Sequence, residues 1–281
     1  MTLAQALTAL RDAFTPVAAE FALPEAERVL TFLLDCARSR LYTGGNEDLP
    51  DEMERRIERI MRRRSLEEPL AYILGSAYFY NREFTVTPSV LIPRPDTEML
   101  IEEVLANEPD CRLRFLDLGT GSGCIAAILT QERPAWRCIA IDRSMAALAI
   151  AKLNRRSAFS LVCADRLEAI GPARSFDFIV SNPPYIPAPA IARLPGSVRR
   201  FEPLDALDGG VDGLDYFRYL AQNAPIVLAS SGRIYSEIGY DQADAAQGIF
   251  AGRGWSDITV QKDLGGRPRV VRATWPKEQT V

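Results

Sequence analysis

The chain has 281 residues, 47% of them hydrophobic and 25% charged, with a formal net charge of −4, five cysteines and no histidine. That length suits one large domain beside a small one, and the acidic balance lacks the basic excess that binding along nucleic-acid backbones draws on. The missing histidine removes the Ser-His-Asp and Cys-His nucleophile systems, histidine metal sites and the usual general base, which leaves carboxylates, hydroxyls, amides, backbone groups or a cofactor to do any chemistry.

Met1-Thr2-Leu3-Ala4-Gln5 has no basic region ahead of an apolar one, so no secretory signal is expected. Leu3, Leu7, Leu10 and Phe14 recur at helical spacing behind a Thr2 cap. Pro24 can open a second helix that turns Val29, Leu30, Leu33 and Leu34 inward, and Pro50 a third with Met53, Ile57, Ile60 and Met61 on one face. A short fourth helix runs from Glu68-Pro69 to Gly75, so residues 1–76 read as a small helical domain, expected to recognise the substrate. The third helix is basic through Arg55, Arg56, Arg59, Arg62, Arg63 and Arg64; such a run is usually a solvated face, and its sharper reading is a surface for an acidic partner or RNA.

Residues 77–95 change character. Ala77 to Tyr80 and Glu83 to Val86 read as two strands around an Asn81-Arg82 turn, a hairpin linker followed by the proline-bound segment Leu91-Ile92-Pro93-Arg94-Pro95-Asp96-Thr97-Glu98. Over 96–281 strands and helices alternate, with strand signals at Arg114 to Leu118, Arg137 to Ile141, Ser160 to Cys163, Phe176 to Val180, Gly232 to Glu237, Asp257 to Val260 and Val270 to Thr274. This predicts an α/β, doubly wound, mostly parallel seven-stranded sheet, with its last two strands antiparallel because no helix separates them.

Leu118-Gly119-Thr120-Gly121-Ser122-Gly123 ends the first of these strands and opens a helix. Glycines let the backbone turn sharply and approach a ligand. The spacing is G-x-G-x-G rather than the G-x-G-x-x-G of a dinucleotide site, which suits S-adenosylmethionine, a ligand without phosphate. Asp117 before the loop suits that ligand's ammonium group. Asp142, at the end of the second strand, can accept both ribose hydroxyls, and it also reads as a cap for the helix from Ser144. Asp165, after the third, can accept from the adenine amino group, although a lone acid there is more often a turn residue.

Ser181-Asn182-Pro183-Pro184-Tyr185 ends the fourth strand. Its two prolines fix the backbone and remove two donors, so acceptors remain: the Asn182 side-chain oxygen and the Pro183 carbonyl, beside the flat face of Tyr185. A planar group carrying two N–H donors, a carboxamide or the exocyclic amine of a base, fits them. Pro-Pro-Tyr alone is a weak signal, but after a strand and downstream of the glycine loop it is a strong one.

These residues identify a resemblance. Glu68-Pro69-Leu70-Ala71-Tyr72-Ile73-Leu74-Gly75, the Ile92-Pro93-Arg94-Pro95-Asp96-Thr97-Glu98 block, the glycine loop, Asn182-Pro183-Pro184-Tyr185, Arg200-Phe201-Glu202-Pro203 with Ala206-Leu207, Gly210-Val211-Asp212-Gly213-Leu214 and the stretch from Asp263 to Val271 resemble the release-factor N(5)-glutamine methyltransferases, the HemK or PrmC family. The resemblance implies the class I methyltransferase fold and transfer of a methyl group from S-adenosylmethionine to the glutamine of the Gly-Gly-Gln loop of a peptide-chain release factor. It implies that Gly119, Gly121, Gly123, Asp142 and Asp165 bind the cofactor, and Asp117, Thr120 and Asn182 complete the expected cofactor site. Asn182, Pro183, Pro184 and Tyr185 then hold the substrate, with Asn182, Pro183 and Tyr185 as the catalytic set. After the third-strand acid, relatives often carry an apolar or aromatic residue; here Arg166 stands there, followed by Leu167, so both join the expected cofactor site, with Leu167 as the candidate to pack on adenine. The rival reading is methylation of an exocyclic amino group of adenine or guanine in RNA or DNA. Phe201-Glu202-Pro203 either shapes the substrate entrance or closes its loop.

No metal is expected. The cysteines, Cys36, Cys111, Cys124, Cys138 and Cys163, are scattered with no C-x-x-C pair, which favours a reducing cytoplasm. No apolar run approaches a membrane span in length. A cytoplasmic monomer that meets no membrane and touches nucleic acid at most indirectly is the expectation.

Overall fold

The computed structural model describes residues 1–157, 159–172 and 174–276. It divides into two compact units, Met1–Ser76 with Pro195–Phe201, and Ala77–Leu194 with Glu202–Val281.

The first unit holds α1 (Leu3–Ala18), α2 (Ala22–Leu34), α3 (Arg40–Thr43), α4 (Asp51–Ser65) and α5 (Leu70–Leu74). Thr2 and Gln5 cap α1 reciprocally, satisfying two otherwise orphaned donors. Leu3, Leu10, Phe14, Val29, Leu30, Ile57 and Ile60 form its core. The basic run on α4 is partly matched at home. Arg64 is buried and forks onto Glu25 at 2.8 and 3.1 Å, Arg63 pairs with Glu68, and Arg55 pairs with Glu52. Arg56, Arg59 and Arg62 are the exposed remainder.

A hairpin of β1 (Ser76–Phe79) and β2 (Arg82–Thr85) follows. Its turn residues are Tyr80 and Asn81, at φ 50° and 56°, not Asn81 and Arg82 as the sequence predicts. Two successive left-handed residues match the twist of a two-residue hairpin. Tyr80 tolerates that conformation because its backbone N–H donates to Glu98 at 2.8 Å and its hydroxyl donates to Glu102 at 2.7 Å.

After a 3₁₀ turn at Pro95–Thr97, the chain runs through α6 (Glu98–Asn107), β3 (Arg114–Leu118), α7 (Cys124–Glu132), β4 (Arg137–Asp142), α8 (Met145–Asn154), β5 (Phe159–Cys163) and β6 (Phe176–Ser181). It continues with α9 (Ala188–Ile191), α10 (Gly196–Phe201), α11 (Asp215–Asn223), β7 (Leu228–Glu237), α12 (Ala243–Ala251), β8 (Ser256–Lys262) and β9 (Pro268–Thr274). The strands form one seven-stranded sheet in the order β5-β4-β3-β6-β7-β9-β8, parallel except at β9, which runs antiparallel to both β7 and β8. This is the doubly wound, mostly parallel sheet that the alternating pattern predicts.

Side chains alternate across the sheet, as the period of two requires. Phe115 and Phe178 stack at 4.8 Å on the face covered by α6 and α7, while Leu116, Leu118 and Ile179 face α11 and α12. Both faces are therefore dry, and polar work is confined to the sheet edges. The strand order reverses between β3 and β6, so the crevice beyond their carboxyl ends is where an open α/β sheet takes its ligand.

Candidate active site

A cavity of about 420 Å³ opens at that crevice. Gly119, Thr120, Gly121, Asp142, Asp165, Arg166, Asn182, Pro184 and Tyr216 all line it, with Thr97, Leu91 and Pro203. Four successive strand ends, those of β3, β4, β5 and β6, thus supply residues to one space, while Asp117, Gly123, Leu167, Pro183 and Tyr185 of the expected set do not line it.

The glycine loop turns from β3 into α7 with Gly119, Gly121 and Gly123 at φ 73°, 54° and 79°, the left-handed region that favours glycine. A Cβ on Gly123 would also meet that of Ala151 on α8 at 3.0 Å, so this glycine sets how closely loop and helix pack. Asn154, the last residue of α8, accepts from Thr85 N at 2.8 Å and donates to the Ser122 carbonyl at 2.9 Å, which ties hairpin, helix and loop together.

Two acids brace this loop. Asp142 accepts from Gly121 N and from Ser144 N, both at 2.9 Å, and its carboxylate lines the cavity; the cap of α8 is Ser144, which accepts from Ala147 N at 3.1 Å, rather than Asp142. Asp117 is fully buried; one oxygen accepts from the Thr120 hydroxyl at 2.6 Å and from Ala126 N at 3.1 Å, and Oδ1 has no partner. Burial pushes its carboxyl up to about 7. Asp117 is not among the lining residues, so its first role is to hold the loop, with one oxygen unspent. That orphaned acceptor under a glycine loop fits the ammonium end of S-adenosylmethionine, and the lining carboxylates fit its hydroxyls and amine.

Asp165 lies beyond the end of β5, on the cavity wall. Arg166, at φ 53°, spreads its guanidinium 4.5 Å from the Tyr219 ring centre and 5.4 Å from that of Tyr216. The expectation that Leu167 packs on adenine is corrected. Leu167 is buried in the core beneath α11, its N–H donating to the Tyr219 hydroxyl at 3.2 Å, and it does not line the cavity. A leucine held among core side chains is not available to a ligand; the aromatic surface here belongs to Tyr216, on α11.

The Asn-Pro-Pro-Tyr segment is held from behind. The β6–β7 register pairs Ser181 with Ser236, which sets the next residues, Asn182 and Glu237, side by side. Asn182 Nδ2 donates to Thr97 Oγ1 at 3.0 Å, Thr97 Oγ1 donates to Glu237 Oε2 at 2.6 Å, and the Tyr185 hydroxyl donates to Glu237 Oε1 at 3.0 Å. Among the described residues nothing donates to Asn182 Oδ1, which remains an open acceptor on a cavity-lining side chain. Pro183 and Tyr185 do not line the cavity, whereas Pro184 does. Tyr185 instead directs its hydroxyl to buried Glu237, and burial raises both groups, Glu237 to about 7.

The later motifs close around this segment. Gln242 donates to the Tyr185 carbonyl at 2.9 Å and to the Gly213 carbonyl at 3.2 Å. A Cβ on Gly213 would lie 2.4 Å from the Tyr185 carbonyl oxygen, and one on Gly209 would lie 2.8 Å from Tyr185 Cα, so both glycines are required by close approach. Glu202 is buried, pairs with Arg94 and accepts from Ile92 N at 3.3 Å. It therefore anchors the proline block, while Pro203 reaches the cavity wall. Arg269 bridges Asp96 and Asp263, each at 3.0 Å.

Glu237, Tyr216 and Gln242 escape the sequence reading. Glu237 carried a usable signal, since a carboxylate at the end of a strand is what singles out Asp142; Tyr216 and Gln242 lie on or beside helices and carried none. Among the described residues no group of three or more Cys, Asp or Glu side chains is arranged to hold a metal ion.

Comparison with known proteins adds a second line. Residues 5–75 match the PrmC N-terminal domain, and residues 95–192 match the methyltransferase small domain. The chain is similar to the release factor glutamine methyltransferase of Koribacter versatilis, 43% identical over 250 residues that cover 88% of this chain and 89% of that one. It is similar also to the enzyme of that description from Cereibacter sphaeroides, 42% identical over 282 residues, 97% and 99% of the two chains. A methyltransferase structure from Pyrococcus furiosus shares the fold, with a TM-score of 0.53 at 14% identity over 81% of this chain and 100% of that one.

Proposed function

This chain belongs to the release factor glutamine methyltransferase family, and from that premise we propose the reaction it performs: transfer of a methyl group from S-adenosylmethionine to the side-chain amide of a glutamine in a peptide-chain release factor. The glutamine is that of the Gly-Gly-Gln loop. The helical domain at residues 1–76 recognises the protein substrate.

An amide nitrogen is a poor nucleophile because its lone pair is delocalised into the carbonyl. Catalysis here must therefore come from positioning and fixed dipoles. Asn182 Oδ1, on the cavity wall, accepts one N–H hydrogen; the Pro183 carbonyl, which does not line the cavity, accepts the other only once the bound amide reaches it, and together they hold the nitrogen with its lone pair toward the reacting methyl. Pro184 covers the amide in the cavity, and Tyr185 stiffens the segment from behind. When bound, S-adenosylmethionine supplies the electrophilic methyl on its sulfonium. Gly119, Thr120, Gly121 and Gly123 let backbone approach it, Asp117 takes the ammonium group, Asp142 the ribose and Asp165 the adenine amine, with Arg166 on the adjoining wall. The surplus proton leaves to solvent, so no histidine is needed.

The observation that carries this reading is the Asn182 side chain. One of its N–H groups donates to Thr97, and its Oδ1 stands as an acceptor without a partner among the described residues, on a side chain that lines the cavity. Methylation of a nucleic-acid base would use similar acceptors. Sequence likeness to protein-glutamine methyltransferases over nearly the whole chain favours the protein substrate. Among the described residues no helix is long and apolar enough to cross a membrane, and the proposed setting is the cytoplasm, with the enzyme acting as a monomer. Radiolabel transfer to purified release factor, beside RNA and DNA controls, tests the assignment. Label is expected in the protein; label in RNA alone overturns it.

A further inference from the structure

Glu237 ends β7 with 1% of its surface exposed, and both carboxylate oxygens are engaged. Oε2 accepts from the Thr97 hydroxyl at 2.6 Å and Oε1 from the Tyr185 hydroxyl at 3.0 Å. Among the described residues neither oxygen forms an ion pair; Arg269, which acts on Glu237 through space, is bonded to Asp96 and Asp263. A buried carboxylate without an ion-pair partner is costly and calls for an explanation.

The direction of the hydrogen bonds supplies one. A hydroxyl has a single proton. With the Thr97 proton committed to Glu237, the side of Oγ1 facing Asn182 can only accept. Asn182 must then present Nδ2 to Thr97, which turns Oδ1 outward. We propose that Glu237 is a positioning residue for methyl transfer: as a carboxylate it fixes the Thr97 hydroxyl, and through it the Asn182 carboxamide, in the one sense that offers an acceptor to the substrate amide. The inference rests on the acceptor role given to Asn182 above.

The same chain has an opposite sense. Once protonated, Glu237 can donate to Thr97, Thr97 can donate to Asn182 Oδ1, and the carboxamide then presents NH₂ to an incoming NH₂. Two donors face each other and the grip is lost. The titratable and charged groups facing Glu237 are Tyr185, Asp96 on the 3₁₀ turn, which raises its carboxyl, and Arg269 on β9, which lowers it; burial dominates and brings it to about 7. Loss of turnover is thus expected on the acid side, as pH falls through that value.

The test is kcat against pH at saturating cofactor and release factor, for the full chain and two variants. Wild-type kcat should fall as pH drops below about 7, approaching tenfold per pH unit. Glu237→Gln should be about 10- to 100-fold slower at alkaline pH, the size of one hydrogen bond to a charged group, and should lose the acid limb, with cofactor affinity unchanged. Thr97→Val, which deletes the relay hydroxyl and keeps the carboxylate, should be slowed comparably, and it decides the matter if Glu237→Gln does not fold. Wild-type kcat in either folded variant, or an acid limb persisting unchanged in Glu237→Gln, overturns the proposal. Asn182→Ala, measured alongside, separates the two levels. If it keeps wild-type turnover, the acceptor reading itself has failed. If it is slow while Glu237→Gln and Thr97→Val are not, only the role of Glu237 has.

Discussion

The two halves of the cavity are built by different means. On the glycine-loop side, rigidity is mostly local: Gly119 to Gly123, Asp117, Thr120 and Asp142 lie within 26 residues of one another, the acids accept from nearby backbone or hydroxyl donors, and Asn154 adds one longer tie through the Ser122 carbonyl. On the Asn-Pro-Pro-Tyr side, rigidity is imported. Thr97 lies 85 residues before Asn182, Glu237 lies 52 after Tyr185, and Gln242 lies 57 after Tyr185. The first half can form as soon as β3, α7 and β4 meet. The second needs the finished sheet, because only the β6–β7 register brings Glu237 beside Asn182.

The largest expected effect falls on the second half. Asn182→Ala removes the acceptor and should lower turnover by about 10²–10³, the cost of losing one preorganised partner in a transition state, while cofactor affinity measured by calorimetry stays close to wild type. Turnover near wild type would end the acceptor reading of Asn182.

The counterpart in the first half is Asp142→Ala. It should weaken cofactor binding by about 10- to 100-fold, as expected for hydrogen bonds to a charged group, with kcat at saturation much less affected. Because Asp142 also accepts from Gly121 N and Ser144 N, Asp142→Asn is the necessary companion. An affinity unchanged in both would confine Asp142 to bracing the loop.

The same contrast explains what could be read in advance. The seven strands, their mostly parallel order and the capped first helix follow from periodicity and from signals a few residues apart. Gly119, Gly121, Asp142 and Asp165, which line the cavity, were legible because each sits at or just beyond a strand end. Leu167 was misread because an apolar residue after the acid suits an adenine wall and a core equally, and only packing beneath α11 decides. Gln242 was invisible because its function is to satisfy the carbonyls of Tyr185 and Gly213, a demand that exists only in the folded chain. The hairpin turn slipped by one residue because Tyr80 is held in a left-handed conformation by Glu98 and Glu102, far along the sequence.

A smaller effect should sharpen the first half. Asp117 has its carboxyl at about 7 through burial, and one oxygen awaits a partner. Ammonium binding requires the carboxylate, so below that pH binding must expel a proton. Cofactor affinity should therefore be constant on the alkaline side and fall as pH drops through about 7, at most tenfold per unit. Titration calorimetry at stepped pH should find this slope in the wild type and not in Asp117→Asn; the same slope in both would show that the unspent oxygen does not meet the ligand.

The least effect on activity is expected from Gln242→Ala, and it asks what makes the second half rigid. Gln242 is buried, and its loss leaves the Tyr185 and Gly213 carbonyls and the Gly239 N–H without their partner. Unpaired buried groups cost about 1–3 kcal/mol each at most, so thermal unfolding should shift downward measurably. Turnover is another matter. Pro183 and Pro184 restrict the backbone ahead of Tyr185 by covalent structure, and Glu237 still holds the Tyr185 hydroxyl. If those constraints suffice, kcat falls only severalfold while stability drops, and the clamp serves the fold. If kcat falls as far as in Asn182→Ala, the prolines are not enough, and the acceptor pair depends on a residue that neither touches the substrate nor faces the cavity.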